Sequence, residues 1–277
     1  MPSRRSAGRN LPVAIAVGVA LATLFLGTLA VGPYLFLTFV AAILVVAQME
    51  LDSAFRAHGS RPATPVAIGA GLVMLYGAYA NGEPALVTGI VVLVLGGMVW
   101  TLLDSQRRSV AASLGATYLI GMWVPFLASF IGLLLRSGDG DQSGELLVMA
   151  VVALTVANDI GAYAFGNRLG RHRMAPGVSP KKTWEGLVGG LVTVLALAGF
   201  ATSRVIPALG VWGAMALGVG IVVASTFGDL CESLVKRDLG VKDLGWVLPG
   251  HGGVMDRIDA MLFALPVAYV ILVAWPL

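Results

Sequence analysis

Residues 233–259, SLVKRDLGVKDLGWVLPGHGGVMDRID, set Lys236, Arg237, Lys242, Asp243, His251, Asp256, Arg257 and Asp259 between two apolar runs, in a chain where only 12% of residues are Asp, Glu, Lys or Arg. Around their start, Asp229, Glu232, Ser233 and Lys236 are spaced i, i+3, i+4 and i+7. If the preceding apolar run continues as a helix, two acids, a hydroxyl and an ammonium share one face. Asp256, Arg257 and Asp259 open the next run, directly after Gly252 and Gly253. One acid there is an ordinary helix start favoured by the dipole, but two acids with an arginine between them exceed that need. The glycines let backbone come close to a ligand. Asp229 and Asp256 lie at the facing ends of consecutive antiparallel spans, so they are placed to meet across a divalent ion, with Glu232 beside them. Oxygen-only ligation suits magnesium, which takes one or two carboxylates and shares its shell with substrate phosphates.

Two upstream features complement this group. In SPKKTWEG, 179–186, Ser179 reads as an N-cap and Pro180 as a first-turn residue of a helix entering the membrane at Trp184. Lys181 and Lys182 then occupy that first turn, where free N–H groups and two ammonium groups could both meet a phosphate. Asp159 stands inside another apolar run, with Tyr163 and Gly166 following on the same face, and an intramembrane carboxylate is a functional candidate by default.

The elements that must hold these residues are membrane helices. The chain has 277 residues, 57% of them hydrophobic, and a mean hydropathy of +0.87, far from the roughly 25% charged residues of an ordinary globular domain. Its apolar runs match the roughly 20 residues needed to cross a bilayer core. Nine spans are predicted, at 11–31, 34–49, 64–80, 85–103, 110–135, 146–165, 187–202, 205–227 and 258–275, giving an all-α polytopic integral membrane protein. The first run exceeds the 7–15 residues of a signal-peptide core and is read as a retained helix. The 36 glycines fit close helix approach in lipid.

With the N-terminus in the cytoplasm, 16 of the 18 Lys and Arg residues fall on the inner side and only Arg136 and Arg204 outside, the asymmetry expected of short cytoplasmic loops. A net charge of +3 is therefore read as topology, not as a nucleic-acid surface. Cys231 is alone, which excludes an intrachain disulfide. Asp139 and Asp141 resemble the opening of a calcium loop, but Ala150 stands where its bidentate Glu should be, so this stretch is read as a solvated linker. The chain divides into 1–145, the first five helices, and 146–277, four helices carrying the site.

Ser233, Lys236-Arg237, Lys242-Asp243, Gly245, Pro249, His251-Gly252-Gly253, Asp256-Arg257 and Asp259 stand at the spacing of the signature of the phosphatidate cytidylyltransferase (CDP-diacylglycerol synthase) family, which 233–259 resembles without departure. SPKKTWEG and Asp159 also resemble family features, so the likeness covers the chain from residue 150 onward. The resemblance implies that CTP and phosphatidic acid give CDP-diacylglycerol and pyrophosphate, with magnesium required and a second, monovalent cation as a further candidate. It implies an inner-membrane homodimer with its site facing the cytoplasm. Asp229 and Asp256 become the metal ligands, with Glu232 and Asp259 as further candidates, and Asp229, Asp256, Lys236, Arg237 and Asp259 the catalytic set. Lys181, Lys182, Ser233, Lys242, His251, Gly252, Gly253, Arg257 and Asp159 become substrate contacts. His251 is not assigned as a base, because a phosphomonoester with a second pKa near 6 is already largely a dianion at neutral pH.

Two other functions compete. A CTP-dependent polyprenol or diacylglycerol kinase would transfer the gamma phosphoryl group and leave CDP. An ion-coupled transporter would use Asp159 and half-helix ends, but it leaves 233–259 without a task and predicts an internal repeat that the sequence lacks.

Overall fold

The computed structural model describes residues 11–105, 109–138, 143–245 and 252–275, without the side chains of 11–14. Proline sets several helix starts, since its fixed φ suits the first turn and its missing N–H costs nothing there. Pro33, Pro65 and Pro84 open α2 (Pro33–Ala57), α3 (Thr64–Asn81) and α4 (Pro84–Leu103) in this way, after α1 (Leu11–Val31). α5 (Val110–Gly121) continues through a π-helical turn at Met122–Phe126, which contains Pro125, into α6 (Leu127–Arg136). α7 (Gly144–Leu169) leads into a two-stranded antiparallel hairpin, β1 (Arg173–Ala175) and β2 (Ser179–Thr183). α8 (Trp184–Leu197) extends through a π turn into the short α9 (Ser203–Val205), and α10 (Gly210–Asp238) and α11 (Met255–Ala274) complete the chain.

Apart from the hairpin the described residues are all-α, and each of the nine predicted runs falls largely on helix. Among the described residues, seven helical segments are long and apolar enough to cross a membrane. The remaining two runs are α1, whose described apolar part is only Ile15–Val31, and α3. α3 carries three glycines and two tyrosines, which lower its hydropathy, and packs Ala67, Ala70, Met74, Leu75 and Ala78, all wholly buried, against neighbouring helices. The outer surface is apolar, with Val87, Val91, Leu95, Trp212, Val270 and Val273 exposed, as a chain solvated by lipid requires. The protein is thus a polytopic membrane protein.

Three local expectations are corrected. The span predicted at 34–49 does not end there: α2 runs on to Ala57, with Arg56 Nε 2.7 Å from Asp52 Oδ2 one turn earlier. Residues 179–183 form a strand rather than a helix start, since pairing of Thr183 with Arg173 and of Ser179 with Ala175 satisfies their backbone. The helix begins one residue later, with the Thr183 hydroxyl accepting from Gly186 N–H at 3.1 Å as the actual N-cap. The span predicted at 205–227 is displaced, beginning at Gly210 and running to Asp238.

The core is continuous across both halves of the chain. α11 packs on α10 and α6 and also reaches α2 and α7. At one end Arg136 donates to the last carbonyls of α3, Tyr79 and Ala80, and Tyr269 of α11 donates to Glu83. At the opposite end α10, the hairpin and the start of α11 bring the charged residues together. Arg4, Arg5, Arg9, Arg107, Arg108, Asp139 and Asp141 lie outside the described residues.

Candidate active site

The tail of α10 supplies the base of the site. Asp229, Glu232, Ser233 and Lys236 follow one another up a single face because the helix continues unbroken past the apolar run. It then stops in a Schellman turn: Gly240 has φ +60°, its N–H bonds Arg237 C=O at 3.1 Å, and Val241 N–H bonds Lys236 C=O at 2.9 Å. A left-handed residue is needed here, which is why glycine stands at 240. The chain then returns to start α11 beside the α10 tail.

Asp229, Glu232 and Asp259 each offer one oxygen, and these three oxygens lie within 4.8 Å of one another. Glu232 and Asp259 are buried, at 2% and 7% exposure. Like charges this close and this dry repel strongly unless a cation balances them. Two lysines do part of that at the margin. Lys182 Nζ lies 2.7 Å from Asp229 Oδ2, and Lys236 Nζ lies 2.7 Å from Glu232 Oε2 and 2.8 Å from Asp256 Oδ1. Among the described residues, the buried Glu232 Oε1 has no hydrogen-bond partner. An all-oxygen donor set with an orphaned carboxylate oxygen fits a hard divalent cation such as magnesium.

The grouping differs from the Asp229–Asp256 pair put forward from sequence. Asp256 is held by Lys236 through Oδ1 and accepts Gly253 N–H at 2.8 Å through Oδ2, so both of its oxygens are engaged. Asp259, one turn further along α11, is the acid grouped with Asp229 and Glu232. Gly252, at φ +84°, and buried Gly253 lead into that first turn, and Arg257 is exposed there. Pro249 and His251 lie outside the described residues.

Two hollows flank the hairpin. A cavity of about 700 Å³ is lined by Asp159, Tyr163 and Gly166 of α7, by Lys181 and Lys182 of β2, and by Asp229 of α10. A smaller one of about 210 Å³ is lined by Ser233, Lys236, Arg237, Lys242 and Lys181. Lys181 borders both because it sits on the strand between them. The hairpin is anchored from three sides. Glu185 accepts Arg171 and His172 N–H groups and lies 2.6 Å from His172 Nδ1, Arg237 Nε donates to Val178 C=O at 3.3 Å, and Trp184 N–H bonds His172 C=O at 3.0 Å.

Sequence reasoning did not single out Asn158, Glu185 or Glu50. Asn158 is buried and donates to Ser225 Oγ at 3.0 Å, both residues lining the larger cavity. Glu50 of α2 is 5% exposed and accepts from Val254 and Met255 N–H groups. A signal for it existed, since in a continued helix Glu50 shares a face with Ala47, Leu51 and Ala54.

Acids grouped for a cation, lysines at their edge and cationic hollows form an arrangement that can bind phosphates, orient them and neutralise charge. That is most of what transfer at phosphorus asks of a protein.

Comparison with known proteins agrees with this chemistry. Residues 12–275 match the cytidylyltransferase family. A phosphatidate cytidylyltransferase of Mycobacterium leprae (strain TN) is 36% identical over 286 aligned residues, covering 98% of this chain and 90% of the relative. One from Mycobacterium bovis is 35% identical over 283, with 98% and 90% covered. One from Haemophilus influenzae is 42% identical over 148, covering 52% of this chain and 51% of the relative.

Proposed function

This chain belongs to the cytidylyltransferase family, and from that premise we propose that it is a phosphatidate cytidylyltransferase, converting CTP and phosphatidic acid to CDP-diacylglycerol and pyrophosphate. The observation that carries the reading is the Asp229, Glu232 and Asp259 cluster, opening through Asp229 onto the larger cavity that Lys182 also lines. The names of relatives aligned over 98% of this chain support the choice of substrates.

A non-ester oxygen of the lipid phosphate attacks the alpha phosphorus of CTP. A new P–O bond forms, the bond from the alpha phosphorus to the bridging oxygen breaks, and pyrophosphate departs with that electron pair. The attacking phosphate is already largely a dianion at neutral pH, so the chain need not remove a proton. Its task is to align two anions and offset their repulsion.

Magnesium, when bound, supplies positive charge to the phosphates of CTP and to the leaving pyrophosphate; Asp229, Glu232 and Asp259 would hold it. Lys182 sits where it can contact a phosphate in the larger cavity while orienting Asp229. Lys181, Ser233, Arg237 and Lys242 surround the smaller hollow and are positioned to hold phosphate oxygens there. Lys236 keeps Glu232 and Asp256 in place. Asp159, on the membrane-spanning part of α7, lines the same cavity as Lys182 and completes its polar wall.

The excess of Lys and Arg on one side supports a site facing the cytoplasm of a bacterial inner membrane, where soluble CTP and a membrane lipid can meet. A homodimer and a second, monovalent cation belong to the proposal through the family resemblance.

Purified protein given magnesium, CTP and phosphatidic acid should release pyrophosphate in step with CDP-diacylglycerol. Release of CDP with a newly phosphorylated lipid would instead identify a CTP-dependent kinase.

A further inference from the structure

Glu50 lies on α2, outside the half of the chain, 146–277, to which the sequence assigned the site. Its carboxylate is spent on backbone: Oε1 accepts from Val254 N–H and Oε2 from Met255 N–H, each at 3.0 Å. These are the opening N–H groups of α11, which have no partner within the helix. Helices usually satisfy such groups with a local Ser, Thr, Asp or Asn. Here the N-cap position is Val254, whose side chain cannot accept a hydrogen bond, and the cap comes from 204 residues away.

The same carboxyl group crowds two glycines. A Cβ at Gly245 would overlap the Glu50 carboxyl, and one at Gly253 would lie 2.7 Å from Asp256 Oδ2 and 2.8 Å from both Glu50 Oε2 and Gly245 N. The segment leaving α10 and the segment entering α11 therefore converge on one side chain. Met255, next in line, is wholly buried. A carboxylate is expensive to bury, and helix capping alone could be met by a cheaper neutral group. Two charge-assisted bonds to adjacent N–H groups also fix direction as well as distance.

We infer that Glu50 is a positioning residue for the carboxylate cluster. By pinning the first turn of α11 to α2, it sets where Asp259 stands relative to Asp229 and Glu232, so the N-terminal helices take part in the chemistry through that contact. The inference rests on the metal-and-phosphate reading of the cluster given above.

The test uses the full-length protein in detergent and reads Mn2+ binding without nucleotide by electron paramagnetic resonance, alongside kcat, KM for CTP and thermal unfolding. Glu50→Gln turns an amide NH2 toward one backbone N–H. Loss of a partner that orients metal ligands typically costs about 10–100-fold, so Mn2+ affinity and kcat should each fall by roughly that factor, with KM for CTP little changed. Glu50→Asp keeps the charge but withdraws it by one methylene. It should fall between Glu50→Gln and the parent protein, and it carries the test if Glu50→Gln does not fold. Parent-like Mn2+ affinity and kcat, or a lowered unfolding temperature as the sole change, would reduce Glu50 to an ordinary cap and overturn the inference. Asp259→Asn separates the two levels: undiminished Mn2+ binding in that variant would overturn the metal reading beneath, whatever Glu50 does.

Discussion

Lys236 Nζ lies 2.8 Å from Asp256 Oδ1, joining the end of α10 to the first turn of α11 across 20 positions of sequence. The side chains are only 16% and 9% exposed, and the same ammonium lies 2.7 Å from Glu232 Oε2. Such a contact is weakly screened, and removing its cation strands two carboxylates. Breaking a buried pair from one side costs about 3–5 kcal/mol.

Lys236→Met should therefore lower unfolding stability by roughly that amount, about 3–5 kcal/mol, and abolish turnover. Adding Asp256→Asn to it removes one of the stranded charges and should restore part of the stability but none of the activity. Chemical unfolding in detergent of both single variants and the double variant measures the coupling. Simple additivity would mean that the pair carries no shared energy.

Asp259→Asn tests the carboxylate cluster by its cost as well as its use. With the metal chelated, relieving repulsion among Asp229, Glu232 and Asp259 should leave the variant at least as heat-stable as the parent protein. The parent should gain on adding magnesium, by about 2.7 kcal/mol at a hundredfold excess over its dissociation constant, and the variant should not. Asp256→Asn should retain more of that gain than Asp259→Asn. The reverse order in thermal melts would return the metal to the Asp229–Asp256 pair.

The membrane spans were legible because lipid imposes a length rule on apolar runs, and six of the nine begin within two residues of the helix that contains them. Charge misled where it did not mean water. Glu50 ended the second predicted span, yet it is buried against the backbone of α11 on a helix that continues to Ala57. Ser179 and Pro180 carry a valid local signal for a helix start, which loses to pairing with Arg173–Ala175, a contact that local chemistry does not reveal. The face from Asp229 to Lys236 was readable because its spacing is helical. Which acid of α11 joins it was not, since Asp256 and Asp259 lie one turn apart and differ in the position of a third residue, Lys236.

Lys181 and Lys182 are neighbours on β2 but should behave differently. Lys182 is half-buried, 2.7 Å from Asp229 Oδ2, and faces the larger cavity, whereas Lys181 is exposed on the rim of both hollows. Lys182→Ala should reduce kcat/KM for CTP by at least about 100-fold, the scale of losing one charged donor to a transferring phosphate. Lys181→Ala should act mainly through KM, and its deficit relative to the parent protein should shrink as salt is raised, because salt already screens an exposed charge. Steady-state kinetics at two ionic strengths distinguishes them.

Gly245→Ala offers a steric test of the contact between Glu50 and the segment leaving α10. The added methyl has no room beside the Glu50 carboxyl, and overpacking of this kind costs about 1–3 kcal/mol. The variant should melt earlier and lose activity, because the carboxyl must move and release Val254 or Met255. Glu50→Ala vacates that space, so the double variant Glu50→Ala/Gly245→Ala should be no less stable than Glu50→Ala alone, while staying as inactive. Thermal unfolding of the three proteins decides the matter. A Gly245→Ala penalty that persists in full without the Glu50 carboxyl would show that the glycine answers to some other neighbour.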